Sequence, residues 1–232
     1  MRVFKWFFLL IFFALSVHAQ EYVFSGAIDS RHTLHVFLKI SSGKAEATYF
    51  YDRIGLPIAL EGTATAGNIV MENSGERFTG TFDGKFYTGT WTDKRRRHDL
   101  QFALQPAETS LREISGRYKC TASRSGAGGA IEVPLTLEMK AGTVTRLELQ
   151  SRVMPQAHTC NPDYSKFRQA MRSDTLTITG TATPDTPCPM SLRRAGPFIH
   201  MANTGGACLC GARASIPDVL LDTRNNSCRV AQ

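Results

Sequence analysis

From Glu21 to Gln105 the chain repeats one pattern: a short run rich in Val, Phe, Tyr and Thr, then a cluster of Gly, Asp, Asn or Ser. Eight segments fit it: Tyr22–Ile28, Thr33–Ile40, Ala45–Tyr51, Ile58–Thr63, Asn68–Glu72, Arg77–Phe82, Phe86–Trp91 and Asp99–Leu104. The intervening turns are too short for a helical crossover, so neighbouring strands must run antiparallel. Short strands punctuated in this way predict a meander closed as a small barrel or folded as a sandwich. The second segment shows the alternation clearly: Leu34, Val36, Leu38 and Ile40 share one face, and Thr33, His35, Phe37 and Lys39 the other.

The stretch Phe78–Trp91, FTGTFDGKFYTGTW, sharpens that expectation. Asp83-Gly84 reads as a two-residue type I′ turn, since both residue types tolerate positive φ. Such a turn sets Phe82 against Lys85, Gly80 against Tyr87 and Phe78 against Gly89. Each glycine would then lie opposite an aromatic ring, which recovers part of the cost of a glycine in a strand. One face carries Phe78, Phe82, Tyr87 and Trp91, the expected barrel lining. A barrel of eight strands is either filled by such side chains or holds one small ligand.

All six cysteines (Cys120, Cys160, Cys188, Cys208, Cys210 and Cys228) lie in the second half. Charge divides there too. Residues 20–105 hold ten basic and ten acidic side chains, whereas residues 106–232 hold fifteen and ten, a net of +5. Two domains are therefore expected, 20–105 and 106–232, the second β-rich and stapled by disulfides. Its expected strands include Gly116–Thr121, Ala130–Lys140, Thr143–Val153, Thr175–Thr181, Met190–Arg194 and Phe198–Ala202. One helix is expected after Cys160. Asn161 suits the N-cap, Pro162 the first turn and Asp163 the positive end of the dipole, with Tyr164, Phe167 and Met171 as an apolar stripe. Six cysteines allow fifteen pairings. The expected set joins Cys160 to Cys188 and leaves Cys208 and Cys210 to Cys120 and Cys228, in either order.

The first nineteen residues have the layout of a secretory signal peptide. Arg2 and Lys5 precede an apolar run from Trp6 to Leu15, and Val17-His18-Ala19 supplies the small residues of a cleavage site near Ala19. The run is short for a bilayer span, which takes roughly 20 residues. A periplasmic or secreted protein with no span in the mature chain is expected, and an even cysteine count behind a leader agrees with disulfides.

No nucleophile elbow, zinc-protease helix, phosphate loop or dinucleotide fingerprint occurs in the chain. The expectation is a protein without catalytic residues, cofactor or metal. The one conspicuous charge run is Lys94, Arg95, Arg96 and Arg97 in the segment DKRRRHD. It reads as a solvated hairpin loop or as an anion contact, and it is too short and too poor in aromatics for nucleic acid.

Two resemblances add to this reading. YFYDRIGLPIALEG (Tyr49–Gly62), followed by FTGTFDGKFYTGTW, resembles exported bacterial β-rich proteins of unknown function, which implies a cell-envelope address. Ser115-Gly116-Arg117-Tyr118-Lys119-Cys120 resembles the lysozyme-inhibitor families of Gram-negative envelopes, although there the comparable run follows the cysteine strand. The resulting expectation is a non-enzymatic exported binding protein. It would contact peptidoglycan, another anionic envelope polymer or a protein partner. The alternative is an inhibitor of a lysozyme or other cell-wall hydrolase.

Overall fold

In the computed structural model, the described residues are 19–126, 129–155, 158–183, 186–204, 208–210 and 215–230. The leader reading of residues 1–18 falls outside them. The front half is a closed antiparallel barrel in which each strand pairs with the next and the last with the first. Its strands are β1 (Gln20–Ile28), β2 (His32–Ser41), β3 (Lys44–Tyr51), β4 (Ile58–Thr65), β5 (Asn68–Glu72), β6 (Glu76–Phe82), β7 (Tyr87–Asp93) and β8 (His98–Pro106). Closure runs through Phe24 opposite Pro106 to Ile28 opposite Phe102.

Alternation places one face of every strand inside. Phe24, Leu34, Val36, Tyr49, Phe78, Tyr87 and Phe102 form a continuous buried cluster that fills the middle of the barrel. Phe78 and Tyr87 are fully buried in it, while Phe82 and Trp91 pack against it at opposite ends of their hairpin.

That hairpin departs from the two-residue turn. Phe82 pairs with Tyr87, Gly80 with Gly89 and Phe78 with Trp91, so residues 83–86 form a four-residue loop. The cause is the Asp83 carboxylate, which accepts the backbone N–H groups of Lys85 at 2.8 Å and Phe86 at 2.6 Å. A side chain that caps its own turn in this way favours the longer loop. The aromatic cover over the glycines comes from the other neighbour. Phe102 of β8 pairs with Gly89, and its Cζ lies 3.0 Å from where a Cβ of Gly80 would sit.

The second half begins with a short 3-10 helix, Leu111–Glu113, and continues as two sheets. One contains β9 (Gly116–Gly126), β10 (Gly129–Lys140), β11 (Thr143–Leu149), β12 (Ser151–Met154) and β13 (His158–Cys160). The other runs in chain order: β14 (Asp163–Arg172), β15 (Thr175–Thr183), β16 (Thr186–Ala195), β17 (Phe198–Asn203), β18 (Val219–Asp222) and β19 (Ser227–Val230). The two enclose one core that includes Val133, Leu137, Leu147, Ile178, Leu192 and Leu221.

The expected helix is strand β14. Its pairing with β15 supplies backbone partners to the rim of the sheet, and only Tyr164 of the stripe is buried, with Met171 44% exposed. Three apolar residues do not outweigh a β-branched neighbour, TLTIT, that needs a partner. Asp163, expected at a helix start, instead accepts the N–H of Ser165 at 2.7 Å. Gln169 bonds both backbone groups of Val144 and so fastens β14 to β11.

The disulfides also differ from the expected pairing. They are Cys120–Cys228, Cys160–Cys210 and Cys188–Cys208. Cys208 and Cys210 take different partners, since the narrow geometry of a disulfide disfavours a bond between cysteines one residue apart. Cys120 and Cys228 pair with each other because β9 and β19 adjoin.

Barrel and second half meet over an apolar patch. Phe37 and Phe50, on the outer barrel face, pack against Ala195, Phe198 and Leu220. His35 stacks on Phe50 with ring centroids 5.4 Å apart and meets Phe198 edge-on at 5.4 Å. Arg194 fastens the connecting segment. Its guanidinium donates to the Ser110 carbonyl at 2.6 Å and to Glu108 and Glu113 at 2.9 Å each.

The paired glycines give a direct test of barrel closure. A Cβ on Gly89 would stand 2.1 Å from the Thr79 carbonyl oxygen and 2.5 Å from the Gly80 Cα. Gly89→Ala should therefore cost about 3 kcal/mol in urea unfolding, because backbone must move. Gly84→Ala, where only positive φ is at stake and no atom lies within 4 Å, should cost about 1 kcal/mol.

Candidate functional site

A meander barrel brings alternate turns to the same end. The turns 29–31, 52–57, 73–75 and 94–97 therefore ring one mouth. Below them the filled core gives way to a pocket of about 980 Å³, whose lining includes Ile28, Tyr51, Glu76, Trp91, Asp93 and Leu100. A second hollow of about 490 Å³, under Asn73, Gly75 and Arg95, also reaches Glu76 and Asp93.

Glu76 is the centre of this end. It opens β6 with the parity of Phe78, so it points inward. The Tyr49 hydroxyl donates to its Oε2, and the Trp91 indole N–H donates to the same oxygen at 3.0 Å. Burial raises its pKa above the usual glutamate value and the charge of Asp93 adds to this, while the Trp91 hydrogen bond and Arg95 oppose. A carboxylate held where ionisation is disfavoured is a frequent mark of a working site.

Asp93 ends β7 directly across from Glu76. Its pKa moves the other way, lowered chiefly by the backbone N–H of Arg96 and also by that of Arg95. Its Oδ1 accepts these at 3.1 and 2.9 Å. Tyr51 faces the same space, its hydroxyl pushed up to about 12 by burial and by the Asp93 charge. The mouth therefore joins aromatic walls to one desolvated and one hydrogen-bonded carboxylate. Among the described residues no three His, Cys, Asp or Glu side chains gather as a metal would require.

The four cations of the charge run sit at this mouth and fall into two kinds. Lys94 is tied to the neighbouring turn, to Glu72 at 2.8 Å and to the Asn73 carbonyl at 2.7 Å. Its contact lowers the Glu72 pKa. Arg96 lies 3.7 Å from Asp93 but keeps 86% of its side chain exposed. Arg95 and Arg97 are exposed, Arg95 over the second hollow, and Arg97 adopts a left-handed φ of 52° that turns the loop. Of the four lining aromatics, Trp91 reaches the pocket. Phe78 and Tyr87 lie in the filled middle, and Phe82 packs on Tyr22 at the far end, with ring centroids 4.7 Å apart. All six cysteines are oxidised, and none lines either hollow.

The residues that sequence reasoning missed are Glu76, Tyr49 and Tyr51. The signal for Glu76 was parity: with β6 started one residue earlier than Arg77, a carboxylate falls inside a barrel. Tyr49 and Tyr51 continue the inward series of Ala45 and Ala47.

No family model, no curated protein and no solved structure matches the chain. No helix among the described residues is long and apolar enough to cross a membrane.

Because Glu76 is raised in the folded chain, that state holds its proton to higher pH than the unfolded one. Stability from this group is complete below the ordinary value of 4.5 and is lost as pH rises through the raised value. Glu76→Gln removes the charge and hence the loss. Thermal midpoints of the two proteins should coincide near pH 4 and separate, with the variant higher, towards pH 7. Parallel midpoints across that range would contradict the assignment.

Proposed function

We propose that the chain is an exported, non-catalytic binding protein that grips an anionic polymer of the cell envelope at the open end of its barrel. The observation that carries this reading is the coincidence of two features at one mouth. An aromatic-walled pocket lies inside it, and Arg95, Arg96 and Arg97 stand around it. Pockets at barrel mouths are common binding positions. Arginines on a rim suit carboxylates or phosphates, which they bind through paired N–H groups. The leader-like first nineteen residues and three disulfides support an oxidising, exported setting, periplasmic or secreted. Peptidoglycan, a glycan whose peptides carry carboxylates, fits the partner chemistry.

Purified protein should sediment with peptidoglycan at low salt and progressively less as salt rises, since exposed charges are screened. Arg95→Ser with Arg97→Ser should lower the bound fraction several-fold without changing the thermal midpoint, because neither side chain is used in holding the loop. Absence of sedimentation at low salt would overturn the reading.

A further inference from the structure

The mouth has a radial order of charge. Carboxylates lie inside, at the strand ends: Glu76 is the first residue of β6 and Asp93 the last of β7. Guanidiniums stand on the turns at the rim, where Arg31, Arg53 and Arg96 also border the pocket. Arg31 is 79% and Arg96 86% exposed, and Arg53 is exposed on the 52–57 turn. An anion driven into this pocket would meet two carboxylates. A group entering positive end first would meet them favourably and leave its own negative groups beside the arginines.

The donors inside the pocket are already used. Tyr49 and Trp91 both give their protons to the Glu76 Oε2, and no described residue donates to Oε1. Arg96 approaches Asp93 at 3.7 Å, but among the described residues no cationic side chain hydrogen-bonds Glu76. An ammonium offers three N–H donors and no acceptor, so it can satisfy Oε1 and Asp93 together. Tyr51 and Trp91, which line the pocket, supply aromatic rings of the kind that attract cations. A neutral hydroxyl could give one hydrogen bond, but it would leave the Glu76–Asp93 repulsion in place.

We propose that the pocket takes a primary ammonium group carried by the polymer, with Glu76 as its counter-ion and Tyr51 and Trp91 as its aromatic walls. This rests on the reading of the open end as the binding site. The groups that face Glu76 are Tyr49 from β3, Trp91 and Asp93 from β7 and Arg95 from the following loop, while Asp29, Arg31, His32, Arg53, Arg96 and His98 border the pocket. Acidification protonates Glu76 and so removes the counter-ion. Ammonium binding therefore weakens as pH falls.

Trp91 makes the test direct, because the only other tryptophan is Trp6 in the leader-like segment. The probe is Nα-acetyl-L-lysine, compared with Nα,Nε-diacetyl-L-lysine and N-acetyl-L-norleucine, which match its length without the charge. Tryptophan emission should change saturably with the first and bind the other two at least about tenfold more weakly, the scale of one charged hydrogen bond. Trp91→Phe should abolish the signal. Glu76→Gln should weaken binding by about tenfold or more, read by calorimetry. The wild-type comparison of the three probes, and its decline at acid pH, carries the test if that variant does not fold. Lys85→Ser, which removes a cation from the 83–86 loop at the opposite end of the barrel, should leave acetyl-lysine affinity within about twofold. Equal binding of the norleucine probe, unchanged affinity in Glu76→Gln, or no saturation by acetyl-lysine each overturns the ammonium assignment. None of them touches the peptidoglycan result. Acetyl-lysine binding without peptidoglycan sedimentation upholds the pocket and discards the polymer.

Discussion

The closing ladder between β1 and β8 is the constraint on which the rest depends. Phe24 through Ile28 meet Pro106 through Phe102, and with that pairing the front half has no free strand edge. An open meander would expose a row of unpaired backbone groups, a template for aggregation. Closure also forces neighbouring backbones together at the inward glycines and leaves the interior only as wide as its side chains fill. The pocket exists because this filling stops one layer short: above Tyr49 and Leu100, the inward positions turn from apolar to Glu76, Asp93, His32 and His98.

The outer face of β2 and β3 shows a second use of the same strands. Alternation alone assigns His35, Phe37 and Phe50 to solvent. In the fold they are buried, because Phe198 and Leu220 lie over them and Arg193 stacks on Phe37 at 5.1 Å. Arg193 also approaches Glu21 at 3.8 Å and the Tyr22 carbonyl at 3.4 Å. Barrel and second half are thus joined by rings, guanidiniums and a short strap rather than by a crossing disulfide. The 52–57 turn lies at this junction and at the mouth, so the second half helps to hold one side of the pocket.

Much of the barrel was legible from period-two alternation, since eight short strands with punctuated turns leave few alternatives. The hairpin at Asp83 was misread because the Asp side chain, not its φ, sets the loop length. The helix was misread because capping residues in CNPD outscored a weak apolar stripe, and sheet pairing is invisible to local signals. Cysteine connectivity depends on which strands become neighbours across two sheets, which spacing does not encode. At the site, the cations were conspicuous and the carboxylate was not. A run of four basic residues stands out in any sequence, whereas Glu76 became meaningful only once parity placed it beside Trp91 and Tyr49.

The position of the disulfides has a consequence for how the chain reaches its final form. The barrel ladder ends at Pro106, and the first cysteine is Cys120, so the circuit of β1 to β8 can close while no thiol has yet been oxidised. Cys120 must then wait for Cys228, a separation of 108 residues, almost the entire remaining chain. In order along the chain, the barrel is an early anchor and the Cys120–Cys228 bond a late clasp. Oxidation thereby reports that the last strand has arrived.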